Sequence, residues 1–300
     1  MISRIFRHPL AVNTFSFYII SFSDYLLALL ITPYLARVLL PAGLGELGLA
    51  QTLGIFLLLV LEYGFSLTAT RDVARHRGDD SRLSGTVIRV YLAKLWLILA
   101  AVGVTGITVV TVPVFSEHPV YAWLACAAAV GNGLTPLWYF QGREKVSLFA
   151  VIKVLLRAVG LISLFFLVKS PEQVWIVLAV HAVTALITAI LTSIWVFRET
   201  TIVKTKLAEV FSTLWRGRHA FYLTIIPTAF SMISLFMLSS FVDLSQVGFF
   251  NGADRIQKAV ISGFSPLGLA LFPHLVARLS NAPLEAKHLV TKAFKLYSIF

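Results

Sequence analysis

Long, nearly charge-free apolar runs decide what this chain can fold into. Several of them reach about 18 residues or more, the length that a helix needs to cross the roughly 30 Å hydrocarbon core of a bilayer. Inside that core every backbone N–H and C=O must be bonded within the protein, so each run predicts a helix. With 58% hydrophobic residues in 300, the sequence predicts an all-α fold, a polytopic transmembrane helical bundle.

The apolar runs divide the chain into eight spans and the start of a ninth. The first, at 14–36, is too long for the apolar region of a signal peptide and lacks a clear small-residue cleavage site, so we interpret it as a retained helix. The other spans are expected at 44–68, 87–112, 119–140, 148–168, 172–197, 219–242 and 247–273, with a ninth beginning near 289.

Basic residues collect on alternate sides of this map. All but four of the 25 lysines and arginines fall in or beside the connections on the side of the amino terminus. Cytoplasmic loops of membrane proteins are enriched in Lys and Arg, so the pattern predicts a cytoplasmic amino terminus. Topology therefore explains the net charge of +11, and we expect no nucleic-acid partner.

The sequence offers little on which to build an enzyme. Cys126 is the only cysteine, which excludes an intramolecular disulfide and a cysteine-based metal site. The connections on the side away from the basic residues, at 113–119, 169–173 and 243–246, are too short for a catalytic domain. No GxxxxGK[ST] phosphate loop is present, so direct ATP-driven transport has no support. We expect neither enzymatic activity nor a cofactor or metal.

The span at 247–273 carries charges at membrane depth. Asp254, Arg255 and Lys258 can share one helix face, because residues three and four positions apart are neighbours on a helix surface. A charge at that depth costs about 2.5–3.5 kcal/mol on insertion scales, so it normally faces a water-filled cavity or a partner. We predict that this face lines the substrate path.

Other polar residues within the spans have two interpretations each. Asp24, midway along the first span, is expected to line the pathway or bind a coupling ion, unless it is a structural partner for an arginine or a polar contact in helix packing. Arg157 either lines the cavity or extends towards the cytoplasm. His181 is expected to be a hydrogen-bonded packing residue, and Lys94 to extend towards the nearby surface from the start of its span.

The sequence repeats at an offset of 203 residues. This shift places Gly45 on Gly248, Ala50 on Ala253 and the first span on the seventh. Six intervening spans give both copies the same orientation, which predicts two lobes related by an axis along the membrane normal. The expected parts are a six-helix lobe at 1–200, a linker at 201–218 and a partial second lobe at 219–300.

The linker and the second lobe carry two further expectations. Val203, Leu207, Val210 and Leu214 form one apolar stripe, which indicates a short amphipathic helix on the inner membrane surface, although a plain tether is the alternative. A second lobe of six helices would extend to around residue 400. We therefore expect these 300 residues to be a fragment or a truncated product that inserts without transporting.

Four segments resemble a known family in their order and their positions on the helix map. They are GLGELG at 43–48, G followed by RDVAR at 64–75, PLWYFQG at 136–142, and VGFF at 247–250 leading to LFP at 271–273. Together they are similar to bacterial polysaccharide-repeat flippases, which include O-antigen and exopolysaccharide flippases. These belong to the multidrug, oligosaccharidyl-lipid and polysaccharide exporter superfamily.

The resemblance implies a transporter of lipopolysaccharide and exopolysaccharide biosynthesis in the bacterial cell inner membrane. Such a flippase moves an undecaprenyl-diphosphate-linked oligosaccharide from the inner to the outer leaflet by alternating access. Its implied partners are that substrate, membrane lipids and the polysaccharide polymerase machinery. Arg255 and Lys258 suit a diphosphate. A multidrug or small-cation exporter of the same superfamily is the alternative, and it would favour acidic cavity residues.

Overall fold

A computed structural model describes residues 9–258, with side chains from residue 19 onward except at 21–22, 24–25, 28 and 227–233. The contacts reported below lie within one compact unit that ends at Arg255, and a second unit begins at Ile256. All regular structure in the described part is helical, which confirms the predicted all-α class.

Ten helices follow one another through the described residues. They are α1 (Pro9–Glu62), α2 (Phe65–Arg75), α3 (Asp80–Thr111), α4 (Pro113–Glu117), α5 (Pro119–Leu134), α6 (Leu137–Gly142), α7 (Val146–Leu167), α8 (Val174–Glu199), α9 (Leu207–Ser239) and α10, which is helical from 244 to the end of the described residues at 258. A short 3₁₀ turn, Pro171–Gln173, precedes α8.

Leu40 divides α1 into two arms, residues 9–39 and 41–62. Its φ of 60° and ψ of 171° are not helical. The cause is Pro41, which lacks an N–H and sterically disfavours helical geometry at the residue before it. The first arm approaches the end of α7, where the Tyr34 hydroxyl donates to the Val168 carbonyl at 2.7 Å.

The second arm continues beside α5 and α8. A Cβ added to Gly43 would lie 3.3 Å from Val174 at the start of α8. At the other end of the arm, a Cβ added to Gly133 near the end of α5 would lie 2.7 Å from Leu61. The second arm therefore has the same direction as α5 and α8, as the expected alternation of spans requires.

Buried side chains form two hydrophobic clusters, and each of them reaches the connections at a different end of the bundle. One contains Leu39, Phe115, Val168, Val174 and Val247, next to one set of connections. The other contains residues next to the remaining connections: Phe65, Val73, Leu83, Trp138, Val146, Val196 and Val210. We call the end with the second cluster the basic end, because it carries the arginine-rich connections.

The chain is a multi-pass membrane protein. Within the described residues, five helical stretches are long and apolar enough to cross a membrane: Leu29–Arg75, Asp80–Thr111, Pro119–Gly142, Val146–Leu167 and Pro171–Glu199. Large apolar side chains are exposed on their outer surfaces, as lipid contact requires. Val110 is 81% exposed and Phe166 is 74% exposed.

Two features differ from the sequence expectation. The second span does not continue to residue 68, because positive φ angles at Tyr63 and Gly64 end α1 and begin α2. The expected surface helix near 203–214 is instead the start of α9, which runs without a break from Leu207 to Ser239. Val210 in that segment is buried in the cluster at the basic end and Leu214 packs against the same cluster, whereas Leu207 is exposed.

Candidate functional site

Three glycines allow α10 to lie directly on the second arm of α1. A Cβ added to Gly248 would overlap the Pro41 carbonyl oxygen, and one added to Gly45 would overlap the Leu244 carbonyl oxygen. A Cβ added to Gly48 would overlap the Asn251 side chain. Small residues permit this kind of close approach between membrane helices. We call this contact the glycine crossing.

The glycine crossing is reciprocal at the offset of 203 residues. Gly45 corresponds to Gly248, and Pro41 corresponds to Leu244. In the structure Gly45 meets Leu244 while Gly248 meets Pro41. Such an exchange of partners is what a two-fold relation between two copies produces. The contact therefore supports the predicted repeat more directly than the matched residues do.

Next to the crossing, four polar side chains from three helices join in a hydrogen-bonded group that we call the amide network. Arg255 donates through Nε to the Asn251 side-chain oxygen at 3.4 Å, and through a terminal nitrogen to Oε1 of Gln51. Gln51 also lies 3.3 Å from Nδ1 of His181 through its Nε2. Asn251 donates to the Leu44 carbonyl at 2.9 Å. The network links α10 to the second arm of α1 and to α8.

Elementary donor and acceptor rules fix the proton positions in this network. A guanidinium can only donate, so the Gln51 oxygen must face Arg255 and its NH₂ group must face His181. The Nδ1 atom of His181 is then the acceptor, which leaves the ring proton on Nε2. The expected hydrogen-bonded role of His181 is confirmed.

The acceptors of Arg255 within the amide network are neutral. Both are side-chain amide oxygens, from Gln51 and Asn251, rather than carboxylates. Asp254 and Arg157 contribute charges nearby: Asp254 acts electrostatically on Arg255, and both Arg157 and Arg255 act on the His181 ring. The arrangement brings two guanidinium groups towards one histidine between helices that cross the membrane.

The predicted site residues fall into three groups. Arg255, with Asp254 beside it, belongs to the amide network, and the exposed Arg157 on α7 lies within electrostatic reach of it. Asp24 lies in the first arm of α1, but its side chain is outside the described residues. Lys258 lies in the second unit. The roles of all five residues in transport stay predictions.

Sequence reasoning missed Gln51 and Asn251 as partners of Arg255. Neither residue carries a charge, so neither stands out within an apolar run. The signal that could have found one of them is the repeat itself, because the offset of 203 places Gly48 on Asn251, the residue that lies against it.

Lys94 differs from its predicted extension towards the surface. Its side chain is only 1% exposed, and its Nζ donates to the Gly133 carbonyl. The same nitrogen lies 3.7 Å from a carboxylate oxygen of Glu62 and 5.7 Å from the centre of the Phe65 ring. The ammonium therefore ties α3 and α5 to the break between α1 and α2, which gives Lys94 a structural role.

Comparisons with known proteins relate the chain to polysaccharide biosynthesis and O-antigen transport. A family model described as "Polysaccharide biosynthesis protein" matches residues 10–277. Two relatives are both named "Putative O-antigen transporter". The one from Escherichia coli (strain K12) is 29% identical over 280 residues, and the one from Shigella dysenteriae is 24% identical over 268 residues. The relatives' names indicate a transporter rather than an enzyme.

These matches cover most of this chain and part of each relative. They include 92% and 88% of this chain, and 67% and 66% of the E. coli and Shigella proteins respectively. The chain thus spans about two thirds of the length of these relatives. No solved structure matches it.

Proposed function

Because the chain belongs to the polysaccharide biosynthesis protein family, we propose that it is a flippase for a polyprenyl-diphosphate-linked oligosaccharide. The cargo moves from the inner to the outer leaflet of the bacterial inner membrane by alternating access, without a catalytic step. The names of the two relatives support an O-antigen repeat as the cargo.

The observation that carries this proposal is the way in which Arg255 is held. Arg255 lies about 17 Å along the helix from the first residue of α10, at a rise of about 1.5 Å per residue. Its acceptors are the amide oxygens of Gln51 and Asn251. Since both amides are neutral, they satisfy N–H donors without adding negative charge. The acidic residue that acts on the guanidinium is the neighbouring Asp254.

A diphosphate needs such a charge when it leaves water for a medium of low dielectric constant. A guanidinium matches phosphate oxygens with two parallel N–H donors, and hydrogen bonds between charged partners are about twice as strong as neutral ones. A phosphate that replaced the Gln51 and Asn251 oxygens would leave two neutral amides behind. A carboxylate in their place would instead compete with the cargo for the cation.

The glycine crossing supports the alternating-access part of the proposal. It joins the second arm of α1 with its counterpart in the repeat, α10, through backbone contacts that involve Gly45 and Gly248. In the flippase cycle these two helices separate at the crossing in one state and close in the other. The basic end faces the cytoplasm, with the amino terminus on the same side.

Complementation of a bacterial strain that lacks its O-antigen transporter tests the proposal. In the full-length protein, Arg255→Gln should reduce surface polysaccharide at least tenfold, because a charge-assisted contact with the cargo is lost. Arg37→Gln is the matched control, since Arg37 is an exposed arginine on the first arm of α1. Equal polysaccharide from both variants at equal protein levels would contradict the role of Arg255. If neither the unchanged protein nor the variants restored surface polysaccharide, and the unchanged protein made the cells resistant to cationic drugs, a multidrug exporter would be favoured.

A further inference from the structure

A cavity at the basic end lies between α2, α3 and α9 and shares no residue with the amide network. Its volume is about 260 Å³. Its charged lining residues are Arg71, Asp72, Arg89, Glu209 and Arg216. Pockets for drug-sized ligands have volumes from about 300 Å³ upward. This cavity is smaller, so it suits a single headgroup rather than an oligosaccharide. We call it the basic cavity.

The carboxylates of the basic cavity neutralise its arginines incompletely. Arg89 lies 3.4 Å from the Glu209 carboxylate, and both side chains are partly exposed. An ion pair of this kind contributes only about 0–1 kcal/mol. Arg71 pairs with its neighbour Asp72 at 3.2 Å. Arg216 has no ion-pair partner among the residues that the structure describes, so an entering anion meets one uncompensated guanidinium and one that is weakly held.

The hydroxyl groups that line the cavity already donate hydrogen bonds to backbone carbonyl oxygens. Thr86 donates to the Arg82 carbonyl at 2.9 Å, while Ser212 and Thr213 donate to the Glu209 carbonyl. Thr86 also accepts a hydrogen bond from Arg89 at 3.3 Å, which orients that guanidinium. The donors that remain for an anion are therefore those of the arginines.

The surroundings of the cavity favour a lipid as the source of the anion. The helix α2 and the first turns of α3 lie at the ends of two candidate membrane spans, where lipid headgroups lie. On α9, beside the cavity, Phe211 and Trp215 are exposed, and the Phe211 ring lies 5.9 Å from that of Trp96. Exposed aromatic side chains of this kind are typical of the boundary between headgroups and acyl chains.

We propose that the basic cavity binds the phosphate headgroup of a membrane lipid, with Arg89 and Arg216 as its main donors. Basic pockets between transmembrane helices are known to hold acidic headgroups. The phosphate has two possible sources, an acidic phospholipid or the diphosphate of the lipid-linked cargo. The second source rests on the proposed function, whereas lipid binding itself does not.

Titration calorimetry of the full-length protein in a neutral detergent tests the site. The probes are a short-chain phosphatidylglycerol, a polyprenyl diphosphate and inorganic phosphate. Arg89→Gln and Arg216→Gln should each weaken lipid binding about tenfold, which corresponds to the loss of one hydrogen bond to a charged group. Arg218→Gln should leave it unchanged, because Arg218 stacks on Trp215 at 3.9 Å and does not line the cavity.

A variant that is expected to bind lipid more tightly serves as a control for misfolding. Glu209→Gln removes the carboxylate that competes for Arg89, so it should strengthen lipid binding several-fold. Improved binding cannot result from a damaged fold. The lipid that shows the arginine-dependent change is the source of the phosphate.

Two results would overturn the proposal. One is lipid affinity that does not change in Arg89→Gln and Arg216→Gln. The other is arginine-dependent binding of inorganic phosphate with no binding of either lipid. A protein that binds lipid as expected but fails to restore surface polysaccharide would leave this site intact and remove the proposed transport function.

Discussion

At the scale of single residues, Gln51 decides how much positive charge Arg255 can offer. Its amide accepts from Arg255 and donates to His181. Gln51→Glu places a carboxylate against the guanidinium, and Gln51→Leu leaves the guanidinium without one acceptor. The Glu and Leu side chains have nearly the same volume as Gln. The comparison therefore separates the effect of charge from the effect of volume.

We expect the two Gln51 variants to differ in stability. Gln51→Leu should lower the free energy of unfolding by about 1–3 kcal/mol, the cost of an unsatisfied buried polar group. Gln51→Glu should unfold at an equal or higher temperature yet transport poorly, since the carboxylate neutralises Arg255. Thermal unfolding in detergent and complementation measure the two properties. Gln246→Glu, at an exposed position, is the charge-matched control, and loss of activity in that control would contradict this explanation.

Substitution of Lys94 tests whether its side chain stabilises the fold. Lys94→Met should lower the unfolding temperature, because it removes the donor to Gly133 and leaves Glu62 without its cation. Adding Glu62→Gln should recover part of that loss, with a coupling energy of about 1–3 kcal/mol. Double-mutant unfolding measurements give this energy directly. Strictly additive effects would mean that the contact between Glu62 and Lys94 contributes nothing.

At the scale of elements, the glycine crossing is the feature most sensitive to a single methyl group. Gly45→Ala and Gly248→Ala should each separate the second arm of α1 from α10, because the added carbon would overlap a carbonyl oxygen. We expect both to lower stability and to impair complementation. The double variant should be less harmful than the sum of the single ones, because both changes break the same contact.

The matched controls for the crossing lie on α3. Gly103 and Gly106 have open space where a Cβ would lie. Gly103→Ala and Gly106→Ala should be neutral or stabilising by up to about 1 kcal/mol, since alanine favours a helix. If all four alanine variants behaved alike, close packing of α1 against α10 would not explain the glycines.

Helix breaks show where the sequence was informative at this scale and where it was not. Pro41 is a visible signal, and the sequence analysis already placed the first connection near it. The break at Tyr63 and Gly64 was missed, because that apolar run continues through the glycine to residue 68. The opposite error occurred at the expected boundary between the linker at 201–218 and the span at 219–242, which lies inside α9. Gly217 does not interrupt that helix, and a Cβ added to it would lie 3.2 Å from the Tyr63 carbonyl oxygen.

At the scale of the whole molecule, the connections between helices lie at two ends, and the arginines predict which end is cytoplasmic. After removal of Cys126, a cysteine at Glu117 should react with an impermeant maleimide added to intact cells. A cysteine at Gly78, which is exposed at the basic end, should react only after the cells are opened. The reverse labelling pattern would invert the proposed topology.

The all-α membrane class, the family and most helix positions could be predicted because they depend on local apolar length and on short motifs. The family match over residues 10–277 confirms the resemblance. Asn251 lies only four positions from Arg255, a spacing that places it beside Arg255 on a helix. Gln51 could not be predicted as a partner of Arg255, because it lies 204 positions away in the sequence. The burial of Lys94 was hidden for the same reason, since its contacts with Glu62 and Gly133 depend on packing between helices.

Transport in reconstituted vesicles tests the central claim most directly. The full-length protein is placed in liposomes with a fluorescent polyprenyl-diphosphate oligosaccharide, and a membrane-impermeant reductant then quenches the label in the outer leaflet. We predict that the unchanged protein and Arg37→Gln expose the inner-leaflet label to quenching, whereas Arg255→Gln leaves about half of the label protected, as in empty symmetric liposomes. Two results would contradict the account of a flippase that carries its diphosphate cargo past Arg255. One is that the inner-leaflet label stays protected from quenching in liposomes with the unchanged protein. The other is that this label is fully quenched in liposomes with Arg255→Gln.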